Sequence, residues 1–347
     1  MAVRWGLIGC GRIANSRVIP EGITMSENAQ IVGVSDILPE RAQETAVNFD
    51  TTAYKDNMAL LADPAIDAVY IATPPSSHAE LTIAAAKAGK HVLCQKPIGL
   101  NAQEGAAMVA ACAEHNVALG IGYMMRFHGA HQKMHELIQA GVIGRPIGAR
   151  VRYSVWSPPL PPGQEADEYG AWIHDPKVAG GGPMMDMGVH AIDLLIMMLG
   201  RITEVVSFCD TLVHDYAVED TASCMFKFAN GVQGILETYM SVPNFEGRRL
   251  IEIYGSEGTL VAENTIFQLP SGNLWHYKKT SGGSVNATPE PIGYVQENMY
   301  WNEMRLFSEA ITNGTAVPIP GEDGHHIQQV VDAVYQSSAE RRYIDIE

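Results

Sequence analysis

Short apolar runs alternate with longer amphipathic stretches through the first third of the chain. Val3–Ile8, Ile31–Ser35, Asp67–Ala72, His91–Cys94 and Val117–Ile121 have the length and apolar content of strands buried on both faces. The stretch from His78 to Ala88 stops at Gly89, and Asn101 caps another that runs to about His115; both repeat with a helical period. Strands alternating with helices predict right-handed crossovers and a doubly wound parallel sheet.

From Tyr123 onward the pattern changes. A helix over Gln132–Ala140 precedes a strand over Ile147–Val155 and a stiff proline-rich loop at 157–163, read as a rim of the site or a subunit contact. Thr221–Phe228 and Val232–Met240 flank Ala229-Asn230-Gly231, a hairpin signal. Arg248–Tyr254 and Thr259–Ala262 flank a second, at Gly255–Gly258. These runs predict an antiparallel sheet, with a loop over Ser281–Ile292 and closing helices over Glu297–Thr312 and Gly324–Arg341. The expected division is 1–122 for the parallel-sheet domain and 123–347 for the second.

The first strand runs directly into Gly9-Cys10-Gly11-Arg12-Ile13-Ala14 and a helix. This is the dinucleotide fingerprint in its required setting. The first glycine allows a tight turn, the second lets backbone approach a pyrophosphate, and small Ala14 lets helix pack on strand. The helix N-terminus attracts the phosphates. Asp36 closes the second strand at the distance where an acid accepts from the adenosine ribose. No basic residue immediately follows Asp36, which favours NAD over NADP, although Arg41 lies several residues on. Thr73, Pro74, His78, Gln95 and Lys96 all follow carboxyl ends of strands, where such sheets bind ligands. Lys96, between a buried strand and Pro97, is placed to polarise a substrate oxygen; the bland alternative is a solvated turn lysine.

Gly180-Gly181-Gly182-Pro183 breaks the chain before a helix that ends at Gly200. Asp186, His190 and Asp193 fall four and three apart, on one helix face. An imidazole between carboxylates suits proton transfer near neutral pH. A capped helix carrying a hydrogen-bonded core histidine would explain two of these groups more readily than all three. The spacing also permits metal ligation, but a neighbouring Lys96 would repel a cation, so no metal is expected. Trp172 and His174 enter from the segment before the glycines.

The net charge of −16 argues against nucleic-acid and anionic-membrane partners. No basic, apolar leader is evident at the start, and no run was expected to reach the length of a membrane span. Five scattered cysteines read as reduced thiols of a cytoplasmic protein.

Together, G-x-G-x-x-A at Gly9, Gly11 and Ala14, T-P-x-x-x-H at Thr73–His78, Lys96-Pro97, Arg126-Phe127 and the run Gly180–Asp193 resemble the Gfo/Idh/MocA family of oxidoreductases over nearly the whole chain. The resemblance implies an N-terminal Rossmann domain and a C-terminal α/β domain with a large, mainly antiparallel sheet that often forms a homodimer or homotetramer contact. It assigns Lys96, Asp186 and His190 to catalysis. It gives Asp193 contacts to substrate hydroxyls and places Arg126 along the same pocket, with Trp172 and His174 nearby. It implies hydride transfer between NAD and a ring hydroxyl or ketone of a sugar, glycoside or cyclitol. Alternatives are NAD-assisted glycoside cleavage or a lyase reaction, and a non-catalytic sugar sensor. Three departures stand out: Gln95 where the family usually has Glu, Met124 where relatives often have Asn or His, and Ile173 where they often have Arg.

Overall fold

The computed structural model describes residues 2–158, 172–215, 217–243, 249–280 and 288–346. The first sheet holds β1 (Val3–Ile8), β2 (Ala29–Ser35), β3 (Thr52–Ala53), β4 (Ala68–Ile71), β5 (His91–Gln95) and β6 (Leu119–Gly122). All pairs are parallel, in the order β3-β2-β1-β4-β5-β6. Strand order reverses between β1 and β4, so the loops after these two strands lie side by side at a switch point. The side chains of Leu7, Ile8, Val69, Tyr70, Val92 and Ile121 are buried, which is why the central strands read as apolar runs.

The second sheet holds β7 (Pro146–Ser154), β8 (Ile202–Asp210), β9 (Thr221–Phe228), β10 (Gln233–Tyr239), β11 (Leu250–Gly255), β12 (Gly258–Glu263), β13 (Asn273–Lys278), β14 (Glu290–Pro291) and β15 (Ile344–Asp345). Their order is β14-β13-β12-β11-β7-β10-β9-β8-β15, antiparallel throughout except where β7 lies parallel to β10. Both expected hairpins are present, with Leu236 opposite Cys224 in one and Ile253 opposite Leu260 in the other. The helix Val189–Leu199 packs on β7.

The chain divides into two compact units: Met1–Met124 with Glu165–Gly180 and Tyr300–Gln328, and Met125–Gln164 with Gly181–Met299 and Gln329–Glu347. The expected boundary at 122/123 falls beside the first crossing, but the assignment of everything beyond it to a second domain needs correction. Most of the helix Met299–Asn313 belongs to the first unit. The Trp5 indole donates to Ser308 Oγ at 3.1 Å and meets the Phe307 ring at a centroid distance of 5.6 Å. Met304 and Phe307 thus complete the core around β1. Helical periodicity shows that this stretch has an apolar face, not which sheet that face covers.

A second correction concerns membrane-span length. The stretch Pro176–Leu199 is long and apolar enough to cross a membrane, but 83% of its most apolar window is buried within the protein, as in a core helix. The proline-rich stretch lies outside the described residues from 159 on, as do residues 281–287 of the expected loop; β14 forms just beyond the latter.

Candidate active site

In the first unit the glycine turn has the shape a dinucleotide requires. Gly9 sits at φ +99°, and a Cβ there would lie 2.8 Å from the Ala72 carbonyl carbon and 2.9 Å from Thr73 Cγ2. Only glycine permits that backbone conformation and that approach of the loops after β1 and β4. Gly11 offers its carbonyl to the Asn15 side chain, and Ile13 packs against the core. Arg12 lies exposed, while Ala14 is fully buried and brings the helix Ala14–Ile23 onto the sheet. No side chain caps that helix, which leaves its opening turn available for phosphate. Asp36 stands at the end of β2, half-buried, accepting from Cys10 N at 2.6 Å and Leu38 N at 2.9 Å. Its carboxylate therefore fixes the glycine turn. These residues fit a dinucleotide.

The other two turns of this unit are tied together. Ser77 Oγ donates to Thr73 Oγ1 at 2.7 Å, and Pro74 opens the short helical turn Pro75–Ser77. His78 is fully buried, with Nε2 2.9 Å from the Thr73 carbonyl and Nδ1 2.8 Å from that of Pro97. Burial pushes its pKa below the usual histidine range, and the Lys96 charge adds to this. His78 thus braces the two turns from inside, which corrects its expected place as a cofactor contact: no ring atom is presented at the surface. Gln95 is buried at the end of β5, and its Oε1 accepts from the Lys96 backbone N–H at 2.8 Å. Lys96, joined to Pro97 by a cis peptide bond, is half-buried at the carboxyl edge of the sheet. Trp172 and His174, both half-buried, form a helical turn that leads through Asp175 into the helix Pro176–Ala179. That helix packs on the Pro75–Ser77 turn, beside the same edge.

The second unit carries the other candidates. Asp186 lies in the π-wound turn Met184–Gly188 and His190 in the α-helix that follows directly. Asp186 is half-buried and His190 is 4% exposed. The Tyr153 phenol is buried, and burial together with the Asp186 charge pushes its pKa up. Asp193 departs from expectation. Its side chain is 1% exposed, and Oδ1 accepts from Nε of Arg126 at 2.7 Å and forms an ion pair with Nη2 at the same distance. Arg126 is 11% exposed. The expectation that Asp193 meets substrate directly therefore gives way: its carboxylate turns inward and anchors Arg126. Two histidines follow that arginine in the chain. His128 Nδ1 accepts from Ala130 N, so its Nε2–H faces the Ser271 carbonyl. His131 lies between the Met125 carbonyl at 2.7 Å and Thr265 Oγ1 at 2.9 Å, and burial pushes its pKa down to about 3.

One residue has no signal in the sequence pattern. Glu219 Oε2 accepts from Gly182 N at 2.8 Å, while Oε1 accepts from Met184 N at 3.1 Å and from the Tyr335 hydroxyl at 2.9 Å. A Cβ on Gly181 would strike the Tyr335 hydroxyl, and one on Gly182 the Glu219 carbonyl. The glycines thus admit a carboxylate clamp two residues before Asp186. Burial pushes the Glu219 pKa up, and the three donors pull against it.

A family model described as the NAD-binding Rossmann fold of the oxidoreductase family matches residues 3–123, and one for the GFO/IDH/MocA C-terminal domain matches residues 131–261. The chain belongs to the Gfo/Idh/MocA family of oxidoreductases. It is 31% identical to 1,5-anhydro-D-fructose reductase of Ensifer adhaerens over 350 residues, covering 99% of this chain and 98% of that one. It is 28% identical to myo-inositol 2-dehydrogenase of Thermotoga maritima over 360 residues, covering 99% of each. Among solved structures, levoglucosan dehydrogenase in complex with NADH matches with a TM-score of 0.87 and 25% identity over 100% of both chains. The Gfo/Idh/MocA assignment makes this protein an oxidoreductase with an NAD-binding Rossmann domain.

Proposed function

We propose that this enzyme interconverts a ring hydroxyl and ketone on a neutral cyclic polyol, sugar or glycoside, with NAD preferred over NADP. The observation that carries the reading is the buried imidazole of His190, one helical turn after Asp186, behind a clamped glycine turn in a chain whose other unit has an NAD-binding fold. Gly9, Gly11, Arg12, Ile13, Asp36, Thr73 and Pro74 would hold the cofactor. Bound NAD supplies a two-electron acceptor for hydride.

His190 takes the hydroxyl proton as general base. Asp186 orients the imidazole and stabilises its charged form. Lys96 donates to the same oxygen and stabilises the alkoxide as it develops. In the reducing direction the protonated His190 returns the proton, and Lys96 again donates a hydrogen bond to the same oxygen. Arg126, held by Asp193, meets a second hydroxyl, and Trp172 offers an aromatic face to the C–H side of the ring. Relatives named for anhydrofructose, inositol and levoglucosan support a polyhydroxylated ring as the substrate class.

A second copy of the chain is the expected partner. The outer face of the second sheet exposes Phe208, Met225 and Ile235, which favour an apolar partner. All five cysteines are free, in keeping with a cytoplasmic setting.

Lys96→Ala and His190→Ala should each lower turnover about a hundredfold or more, the scale of lost acid–base and oxyanion interactions. NAD affinity, read by fluorescence titration, should persist. Near-normal turnover in either variant would overturn the assignment.

A further inference from the structure

Gln95 stands directly before the Lys-Pro pair, and the structure shows what its amide faces. Its Oε1 accepts from Lys96 N at 2.8 Å, and its Nε2 donates to the Tyr70 hydroxyl at 3.1 Å. Tyr70 is fully buried in β4 and its hydroxyl is hydrogen-bonded to Glu303, itself 3% exposed on the helix Met299–Asn313. Tyr300 and Cys94 also face the phenol. All of these residues belong to the first unit.

The donors and acceptors allow one order. The phenol oxygen receives the Gln95 amide hydrogen, so its own hydrogen goes to the Glu303 carboxylate. Burial, and next the Glu303 charge, push the Tyr70 pKa well up, so the phenol keeps that hydrogen. The chain runs one way, from amide to phenol to carboxylate, and leaves Gln95 Oε1 turned toward the Lys96 backbone. A glutamate at 95 would set two carboxylates against one phenolic hydrogen, and one of them would need a proton from elsewhere. Gln95 and Glu303 are therefore a matched amide–carboxylate pair.

We infer that Glu303 is a positioning residue for Lys96, acting through Tyr70 and Gln95, and that it holds a buried negative charge behind the lysine. The inference rests on the reading that Lys96 acts on the substrate oxygen.

A four-cornered mutant cycle in the full-length enzyme tests it, with turnover, NAD affinity and melting temperature read for each protein. Gln95→Glu gives two carboxylates and should lower turnover about tenfold or more and lower the melting temperature. Glu303→Gln keeps an oxygen to accept from the Tyr70 hydroxyl but removes the charge, and should lower turnover severalfold with NAD affinity kept. Gln95→Glu combined with Glu303→Gln reverses the chain and restores one carboxylate; turnover should return to within about threefold of wild type. Wild-type turnover in Glu303→Gln, or a double variant no better than Gln95→Glu, would overturn the inference. Should Gln95→Glu fold too poorly to assay, Tyr70→Phe replaces it: a fall in turnover at constant NAD affinity supports the inference, and unchanged turnover overturns it. The melting-temperature cycle needs no substrate. Absence of NAD-dependent turnover in the wild type would strike the functional reading alone, while additive melting shifts would strike the pairing alone.

Discussion

Glu219 offers a sharp test of how the second unit holds the helical turn that carries Asp186 and leads to His190. Its carboxylate accepts three hydrogen bonds, from Gly182 N, Met184 N and the Tyr335 hydroxyl, at 2.8, 3.1 and 2.9 Å. Glu219→Gln keeps Oε1, and with it the bonds from Met184 and Tyr335, but turns an NH2 group toward the Gly182 N–H. One buried donor is then unsatisfied and opposed by another, at a cost of about 1–3 kcal/mol. Glu219→Ala strands all three donors and should cost more, about 3–6 kcal/mol if each loses about 1–2 kcal/mol. Because Met184 is two residues before Asp186, the released turn should also misplace Asp186 and lower turnover about tenfold in Glu219→Gln. Urea unfolding and steady-state kinetics on the same preparations provide both readouts. Glu219→Gln within about 0.5 kcal/mol of wild type and equally active would refute the clamp, since that is the ordinary scatter of surface substitutions.

Three further expectations concern the cofactor, the arginine anchor and acid. Asp36→Ser removes a carboxylate that would repel a 2′-phosphate, so the ratio of NAD to NADP efficiency should fall; an unchanged ratio would remove Asp36 from the selectivity account. Asp193→Asn weakens a buried ion pair and should raise the Michaelis constant for the polyol far more than that for NAD, while Asp193→Ala should also destabilise by about 3–5 kcal/mol; equal effects on both Michaelis constants would contradict the anchor. His131 has its pKa pushed down to about 3 in the fold, so below about pH 6.5 the unfolded chain takes up a proton that the folded chain refuses. Stability from this group is full above about pH 6.5 and falls by about 1.4 kcal/mol per pH unit as acid is added, and the buried His78 and His128 act with the same sign. Unfolding free energies between about pH 7 and pH 5 should fall less steeply in His131→Gln, and an identical slope would exclude the group.

The residues that chain-local rules govern were legible in the sequence. The strand–glycine–helix turn at Gly9–Ala14, the acid closing β2 and the glycine break before Asp186 each follow from spacing and from what glycine alone permits. What escaped depends on partners distant in the chain. Glu219 meets a turn 37 positions earlier, and Asp193 finds Arg126 across 67, so nothing in either neighbourhood announces the pairing. The strand β8 hid for another reason: Val206 and Phe208 point out beside inward Val205 and Ser207, which blurs the alternation of a half-buried strand. The helix Met299–Asn313 showed its apolar face but not that Trp5 would claim it.

Transfer of the carbinol hydrogen tests the central claim most directly. The enzyme is supplied with NAD and a panel of cyclic polyols, sugars and glycosides carrying deuterium on the hydroxyl-bearing carbons, and the nicotinamide is analysed by mass spectrometry. The account predicts one deuterium on the reduced nicotinamide per ketone formed, at a rate about a hundredfold lower in His190→Ala. Product formed with deuterium retained or returned, and with no net reduced cofactor, would contradict it.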